Sequence, residues 1–256
     1  MRILILVQSI DLVAKPEYAA LRKAQMETWD SIPHPNVDVI YYFPGPVEDK
    51  LEGNILRIVC NTHWTHMFFN LAKAMRHMLK HDQSWDYIFK TDNSTYVDKA
   101  KLYEFLLTKP REKYYGGSLF AFRDPEIHKQ LFYWGDGYAL SRDMVAYLVD
   151  RFNKAPFRGK QEDDVVVGQL LDGVANWDES LKIYLPILNN NEIELGHIVY
   201  RCRIDAINYS PAAADYEEIN KIFANDIMIM HKIHNLITNG KTDNREGILK
   251  EAQDQA

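Results

Sequence analysis

The sequence has few cysteines and no long apolar run. It contains 256 residues but only two cysteines, Cys60 and Cys202. Two cysteines so far apart do not make a disulfide framework, so a reducing compartment is the expected environment. No apolar run approaches the roughly 20 residues of a membrane-spanning helix, and the opening MRILILVQS is too short for a signal peptide. The sequence therefore predicts a soluble, cytoplasmic protein.

A basic surface and the common glycine-rich loops are also lacking. The chain has 30 Lys and Arg against 36 Asp and Glu, a net charge of −6, which disfavours a general nucleic-acid binder. Residues 9–12 read SIDL where a dinucleotide-binding loop needs glycines, and neither a P-loop nor the G-x-S-x-G of α/β-hydrolases occurs. The missing glycine loop disfavours a nucleotidyltransferase as well. Any nucleotide must be held in another way, for example through an acid-bound metal ion.

The chain does contain an alternation of strand-like and helix-like segments. Continuous apolar runs are typical of strands covered on both faces, and the segments between them have helical chemistry. This order predicts an α/β fold with a mostly parallel central sheet flanked by helices. It would form one domain over residues 1–235, followed by a polar tail over 236–256 that is helical or weakly ordered. The predicted strands are 2–8, 36–43, 54–60 and 85–89, and the predicted helices are 16–29, 67–81, 98–108, 142–152 and the later part of 162–174.

Asp92 follows the last of these strands, in the stretch FKTDNSTYVD. Ligands of open α/β sheets bind at the carboxyl ends of the strands, and a carboxylate there can hold a divalent cation or the ribose of a nucleotide. An Asp after a strand can equally close a turn. The residues alone leave both interpretations open.

Three adjacent acids, Glu162, Asp163 and Asp164, lead into an apolar run. The helix dipole would explain one or two of them. Three acids directly before an apolar stretch are also compatible with a partly buried carboxylate, which could act as a general base.

The stretch YWGDGYALS, residues 133–141, combines aromatic residues with two glycines. Gly135 and Gly137 let the backbone approach a ligand or bend sharply, and Trp134 offers a flat face to a sugar ring. The alternative is an aromatic core strand with a bulge. Further along, His231 follows an apolar, strand-like run, either as a structural histidine or as a single metal ligand from a distant part of the chain.

Six short motifs in this order resemble the fringe and β-1,3-galactosyltransferase-like glycosyltransferases, which have the GT-A fold. RKAQMETW (22–29) is similar to R-x-A-x-x-E-T-W, NLAKAM (70–75) to N-L-T-x-K-T, and FKTDNSTYVD (89–98) to K-T-D-D-D-V-F-V. GDGYALSRD (135–143) is similar to G-G-G-Y-V-L-S, DDVVVG (163–168) to E-D-V-Y-V-G, and MHKIH (230–234) to F-H-S-H. The resemblance extends from about residue 20 to about residue 235, which is most of the chain.

The resemblance implies an inverting transfer of a sugar from a nucleotide donor, usually a UDP-sugar, to an acceptor hydroxyl of a glycan or glycoconjugate. Asp164 falls on the family's catalytic base, and Asp163 on the variable acid before it. The residues expected at the donor are Arg22, as a counter-charge, and the sugar-pocket residues Trp134, Asp136 and Gly137.

The resemblance also implies a divalent cation, Mn²⁺ or Mg²⁺. Asp92, Asn93 and Ser94 fall on an acidic triplet of the family, and Ser94 stands in the place of its direct metal ligand. A neutral hydroxyl is a poorer ligand for these cations than a carboxylate. A cation would then depend on Asp92, on the donor diphosphate and on His231, which aligns with a metal-binding histidine.

Two expectations follow for the kind of protein. Eukaryotic members of the family are membrane-anchored Golgi proteins with disulfides, so this chain is expected to be a bacterial or viral cytoplasmic form or a trimmed catalytic domain. A sugar-nucleotide or glycan-binding module without catalysis, its metal site degraded by Asn93 and Ser94, is the alternative function.

Overall fold

A central sheet of eight strands organises the computed structural model, which describes residues 1–9, 16–45, 49–60, 66–82, 84–121, 131–154, 162–184, 193–202 and 216–239. The strands are β1 (Ile3–Gln8), β2 (Val37–Gly45), β3 (Lys50–Glu52), β4 (Ile55–Val59), β5 (Tyr87–Asp92), β6 (Thr95–Val97), β7 (Tyr114–Ala121), β8 (Leu131–Ser141), β9 (Asn176–Asp178), β10 (Ile183–Tyr184) and β11 (Val199–Arg201). The large sheet has the order β3-β4-β2-β1-β5-β8-β7-β9, and a small sheet has the order β10-β11-β6.

The four strands β4, β2, β1 and β5 run parallel, so their carboxyl ends meet at one edge of the sheet. Gln8 pairs with Tyr42 on one side and with Asp92 on the other. Strand β8 then lies antiparallel between β5 and β7. This arrangement places Asp92 at the edge where α/β sheets bind their ligands.

Helices cover both faces of the sheet. They are α1 (Pro16–Glu27), α2 (Met67–His81), α3 (Lys99–Leu107), α4 (Arg142–Lys154), α5 (Asp163–Leu171) and α6 (Tyr216–Thr238), with a short 3-10 helix at Trp29–Ser31. Alternate residues of β1 enter two separate cores, with Ile5 in one and Leu6 in the other, because successive strand side chains point to opposite faces. Helices α1, α3 and α6 contribute to the first core, and α2, α4 and α5 to the second.

The predicted fold class is confirmed, and several boundaries move. Strand β2 extends through Pro44 to Gly45. Its ladder with β1 ends at Tyr42, so Pro44 interrupts no pairing on that side, whereas the β4 side continues through Pro44 and Gly45. Strand β5 runs on to Asp92, and α5 begins at Asp163 rather than late in 162–174.

The interpretation of a strand before His231 is wrong, because this segment lies within α6. The buried positions are Asp226, Ile229, Met230 and Ile233, which is the spacing of one helix face and not of a strand. Helix α6 continues to Thr238, past the predicted domain end at 235, and residues 240–256 lie outside the described residues. No described helix is long and apolar enough to cross a membrane.

Substitutions at two leucines test whether the Leu6 side chain lies in a core. Leu6→Ala removes a fully buried side chain from the middle of β1 and should lower the free energy of unfolding by about 2–5 kcal/mol. Leu107→Ala changes a side chain that is 52% exposed at the end of α3 and should stay within about 0.5 kcal/mol. Urea denaturation of both variants measures the difference, and similar costs at the two positions would contradict the assignment of Leu6 to the core.

Candidate functional site

A buried ion pair joins helix α5 to strand β5. Lys90 and Asp163 are each 1% exposed, and Lys90 Nζ lies 2.9 Å from Asp163 Oδ2. Burial disfavours the charged form of Lys90, but the negative charges of Asp163, Asp164 and Asp92 more than offset it, so the pKa of Lys90 is raised. The lysine therefore remains an ammonium and compensates the buried carboxylate.

Asp164, the next residue, faces strand β8. Its Oδ2 accepts a hydrogen bond from Gly135 N at 3.0 Å, and its Oδ1 accepts one from Val165 N at 2.8 Å. Lys90 Nζ also donates to Gly135 O at 2.9 Å, which closes a ring through β5, β8 and α5. A Cβ on Gly135 would lie 3.1 Å from Lys90 Nζ and 3.2 Å from Asp164 Oδ2, so this close approach favours glycine.

The environment of Asp164 changes its acidity. Burial and then the charge of Asp163 raise the pKa of Asp164 to about 7, against the opposing effect of Lys90. The side chain is nevertheless partly exposed. Near neutral pH this carboxyl group can both take up and release a proton, which is the property a general base needs.

Asp92 closes the turn between β5 and β6, as one interpretation of the sequence predicts. Its Oδ1 accepts hydrogen bonds from Ser94 N at 2.9 Å, Ser94 Oγ at 2.8 Å and Thr95 Oγ1 at 2.9 Å. Asn93 and Ser94 are buried. Helix α1 is fastened to the same turn by Gln25, whose Nε2 donates to Asp92 O at 3.0 Å and Thr95 O at 2.9 Å. Binding of a donor by Asp92, Asn93 and Ser94 stays a prediction.

The residues predicted to bind a divalent cation are Asp92 and His231, with Ser94 in the place of a ligand. Within the described ranges, no three His, Cys, Asp or Glu side chains come together as metal ligands. The Ser94 hydroxyl donates to Asp92, and His231 lies partly buried on α6, three residues before His234, whose Nδ1 is 3.5 Å from Tyr96 Oη. The described side chains do not assemble a metal site by themselves, and the divalent cation stays a prediction.

A second ion pair lies at the sugar-pocket residues. Asp136 is buried and pairs with Arg201 of β11, whose guanidinium carbon is 4.8 Å from the centroid of the Trp134 ring. A Cβ on Gly137 would lie 2.8 Å from Phe89 Cζ, so close packing is sufficient to explain that glycine. Neither Lys90 nor Arg201 is predicted from the sequence, because no local motif marks either residue as half of a buried pair.

Arg22 lies on α1, one turn before Gln25, and stacks on Phe43 at 4.5 Å from the ring centroid. Phe43 follows Tyr42, whose strand is separated from Asp92 by β1 alone, about 10 Å at the usual strand spacing. Arg22 is thus at the same edge of the sheet as Asp92 but not in the Lys90 cluster. Asp164 contacts β8 directly at Gly135, and Asp163 does so through Lys90. Trp134 and Asp136 flank that glycine in the strand and contact Arg201, and His231 is placed separately on α6.

Comparison with known proteins bears on the fold. No protein-family model and no curated protein matches the sequence. Among solved structures, the chain is similar to a glycosyltransferase involved in the glycosylation of the major capsid of PBCV-1, with a TM-score of 0.53 and 12% identity over 91% of this chain and 100% of that one. The protein has a GT-A-type fold. At this identity the likeness establishes the fold alone, and the narrower resemblance to fringe-like enzymes stays a prediction.

Two further similarities are more distant. A 4-diphosphocytidyl-2C-methyl-D-erythritol synthase from Anaerococcus prevotii gives a TM-score of 0.43 and 10% identity over 69% of this chain and 85% of that one. The galactosyltransferase LgtC, in complex with donor and acceptor sugar analogues, gives 0.43 and 13% over 86% and 95%. Neither carries a conclusion about this chain.

Lys90→Met tests the buried pair at the centre of this GT-A-type fold. The substitution leaves Asp163 buried without its cation and should lower the free energy of unfolding by about 3–5 kcal/mol. Lys154→Met is the matched control, since Lys154 is 69% exposed and pairs with an exposed Asp150; it should cost less than about 1 kcal/mol. Denaturant titration at pH 7 compares them, and equal stability of the two variants would contradict a buried pair.

Proposed function

We propose that the protein is an inverting glycosyltransferase that moves a sugar from a nucleotide-diphosphate donor, most simply a UDP-sugar, to an acceptor hydroxyl of a glycan or glycoconjugate. The observation that carries this proposal is Asp164. In a GT-A-type fold, it presents a partly exposed carboxylate with a pKa of about 7 beside a strand bulge that carries Trp134 and Asp136. The order of the sequence motifs supports the same conclusion.

The reaction is a single displacement. Asp164 takes the proton of the acceptor hydroxyl while its oxygen forms a bond to the anomeric carbon of the donor. The bond from that carbon to the diphosphate oxygen breaks, and its electron pair leaves with the nucleoside diphosphate. Attack from the face opposite the leaving group inverts the anomeric configuration. The proton on Asp164 is then released to solvent, and a base in this position typically contributes about 10²- to 10⁴-fold.

The two adjacent acids have different parts in this proposal. Asp163 is buried and paired with Lys90, so it does not face a substrate and acts as a positioning residue. Asp164 is held by Gly135 N through one oxygen and is partly exposed, so it is the residue that meets the acceptor. A divalent cation at Asp92 and His231 stays a prediction of the resemblance, and no step above depends on it.

One observation favours a second candidate, a binding module without catalysis. Asn93 and Ser94 replace two acids of the triplet through which the resembling enzymes engage their donor. The Ser94 hydroxyl instead donates a hydrogen bond to Asp92 within the turn. The two functions separate on turnover: a module binds a UDP-sugar and never transfers or hydrolyses it.

Asp164→Asn tests the base. The amide keeps the shape of the side chain but cannot accept the proton, so transfer should fall by about 10²-fold or more with little change in nucleotide affinity. Asp172→Asn, at the exposed far end of the same helix, should retain full activity. Transfer to an acceptor panel and calorimetric titration with UDP provide the two readouts, and full turnover by Asp164→Asn would remove this residue from the base role.

The pH dependence of the reaction follows from the same carboxyl group. Its pKa is raised to about 7, so the active, ionised form is scarce below that pH and dominant above it. The value of kcat/KM should therefore rise with pH through about 7 and level off. Glu162→Gln should move this rise to lower pH, because the charge of Glu162 contributes to the raised pKa, whereas Lys90 and Asp163 act on it unchanged. A flat profile from pH 5 to 8 would contradict the assignment.

A further inference from the structure

Arg201 stands beside the turn where the resembling enzymes have their acidic triplet. Strand β11 pairs antiparallel with β6, which sets Arg201 opposite Thr95. The next residue along the chain, Cys202, donates its backbone N–H to Ser94 O at 2.8 Å. The short second sheet therefore brings an arginine to the edge of the turn formed by Asp92, Asn93 and Ser94.

The surroundings of this arginine fix its guanidinium group from two sides. Nη1 donates to Asp136 Oδ2, and the guanidinium carbon lies over the Trp134 ring, 4.8 Å from the ring centroid. Asp136 is itself held in place, since its backbone oxygen accepts a hydrogen bond from Thr91 Oγ1 at 2.6 Å. The arginine is thus positioned in advance of any ligand.

Asp136 does not use the edge of the Arg201 guanidinium that Nε and Nη2 form. Nε of Arg201 is buried, and no described residue accepts a hydrogen bond from it. The hydrogen bond to Asp136 uses Nη1 and not Nη2. A buried donor without an acceptor is costly. The N–H groups of Nε and Nη2 point the same way and match two oxygens of one phosphate group, the bidentate geometry for which arginine is suited.

We propose that the Nε and Nη2 edge of Arg201 binds the diphosphate of the donor nucleotide and compensates the charge that grows on it. This inference rests on the proposed glycosyl transfer. As the bond to the anomeric carbon breaks, its electron pair moves to the diphosphate, and hydrogen bonds from a fixed guanidinium strengthen with that charge. The interaction transfers no proton, because the guanidinium acts only as a hydrogen-bond donor. Arg201 thereby supplies a counter-charge at a turn where Ser94 cannot help to hold a cation.

Calorimetric titration of the whole chain with inorganic pyrophosphate and with UDP, both in EDTA, tests this binding. Wild type should bind both ligands, and Arg201→Gln should weaken both by about 10-fold or more. Arg201→Lys, which keeps the charge without the planar edge, should fall between them. Arg111→Gln is the control: Arg111 is exposed and pairs with Asp86 next to the amino end of β5, at the opposite edge of the sheet, and its loss should leave both affinities unchanged.

Arg201→Gln leaves Asp136 buried without its partner, so a second variant guards against misfolding. The double change Arg201→Gln with Asp136→Asn removes both charges, should keep the wild-type circular dichroism spectrum, and should bind pyrophosphate as weakly as the single variant. Wild-type affinity in either variant would overturn the inference. So would wild-type protein that binds pyrophosphate only after Mn²⁺ or Mg²⁺ is added.

The experiments distinguish a failure of the role of Arg201 from a failure of the proposed glycosyl transfer. Transfer of sugar by wild type together with unchanged pyrophosphate affinity in Arg201→Gln refutes the role of Arg201 and leaves glycosyl transfer intact. Pyrophosphate binding that is lost in Arg201→Gln, with no turnover of any nucleotide sugar, supports the phosphate site and refutes the transferase.

Discussion

The ion pair between Lys90 and Asp163 is the interaction on which the rest of the site depends. Both side chains are almost completely buried, and neither charge is tolerable there without the other. Helix α5 can therefore dock on the sheet only where its first residue meets the lysine of β5. Asp164 follows directly in the chain, so the same docking presents its carboxylate to Gly135 N. A packing requirement in this way fixes the position of the residue that we propose as the base.

Strand β5 also holds the irregular part of β8 through two neighbouring side chains. The backbone ladder between these strands extends to the pair Lys90 and Tyr138, and the register of β8 against β7 shifts close to this point. Lys90 then donates to the carbonyl of Gly135 and Thr91 to that of Asp136. Side-chain donors thus satisfy carbonyls that the ladder no longer reaches. Because successive strand residues point to opposite faces, Asp164 and Arg201 are organised from the two sides of one sheet edge.

Local patterns in the sequence predict most of the fold and only part of the site. Helix α2 has the predicted bounds of 67–81, because apolar residues recur at helical spacing along the whole segment. The α/β class follows from the alternation of β1, β2, β4 and β5 with helices. The prediction of a strand before His231 is wrong because consecutive apolar residues also occur in helices. Burial at every third or fourth position shows that this segment is one face of α6. The roles of Lys90 and Arg201 could not be predicted from local sequence patterns, since each pairs with an acid that is distant in the sequence. These acids are Asp163 and Asp136.

A neutral side chain at position 94 suits the negative charge of the neighbouring Asp92. Ser94 is fully buried, and its hydroxyl and backbone N–H both donate to Asp92 Oδ1. A carboxylate in its place could donate nothing to Asp92 and would add a buried negative charge beside it, which requires a compensating cation. With serine, the turn itself supplies hydrogen bonds to Asp92 Oδ1, and Arg201 is paired in register with the next residue of the turn, Thr95. The neutral residue and the nearby arginine are therefore compatible with the donor binding that we propose, in which the positive charge offered to the diphosphate belongs to the chain itself.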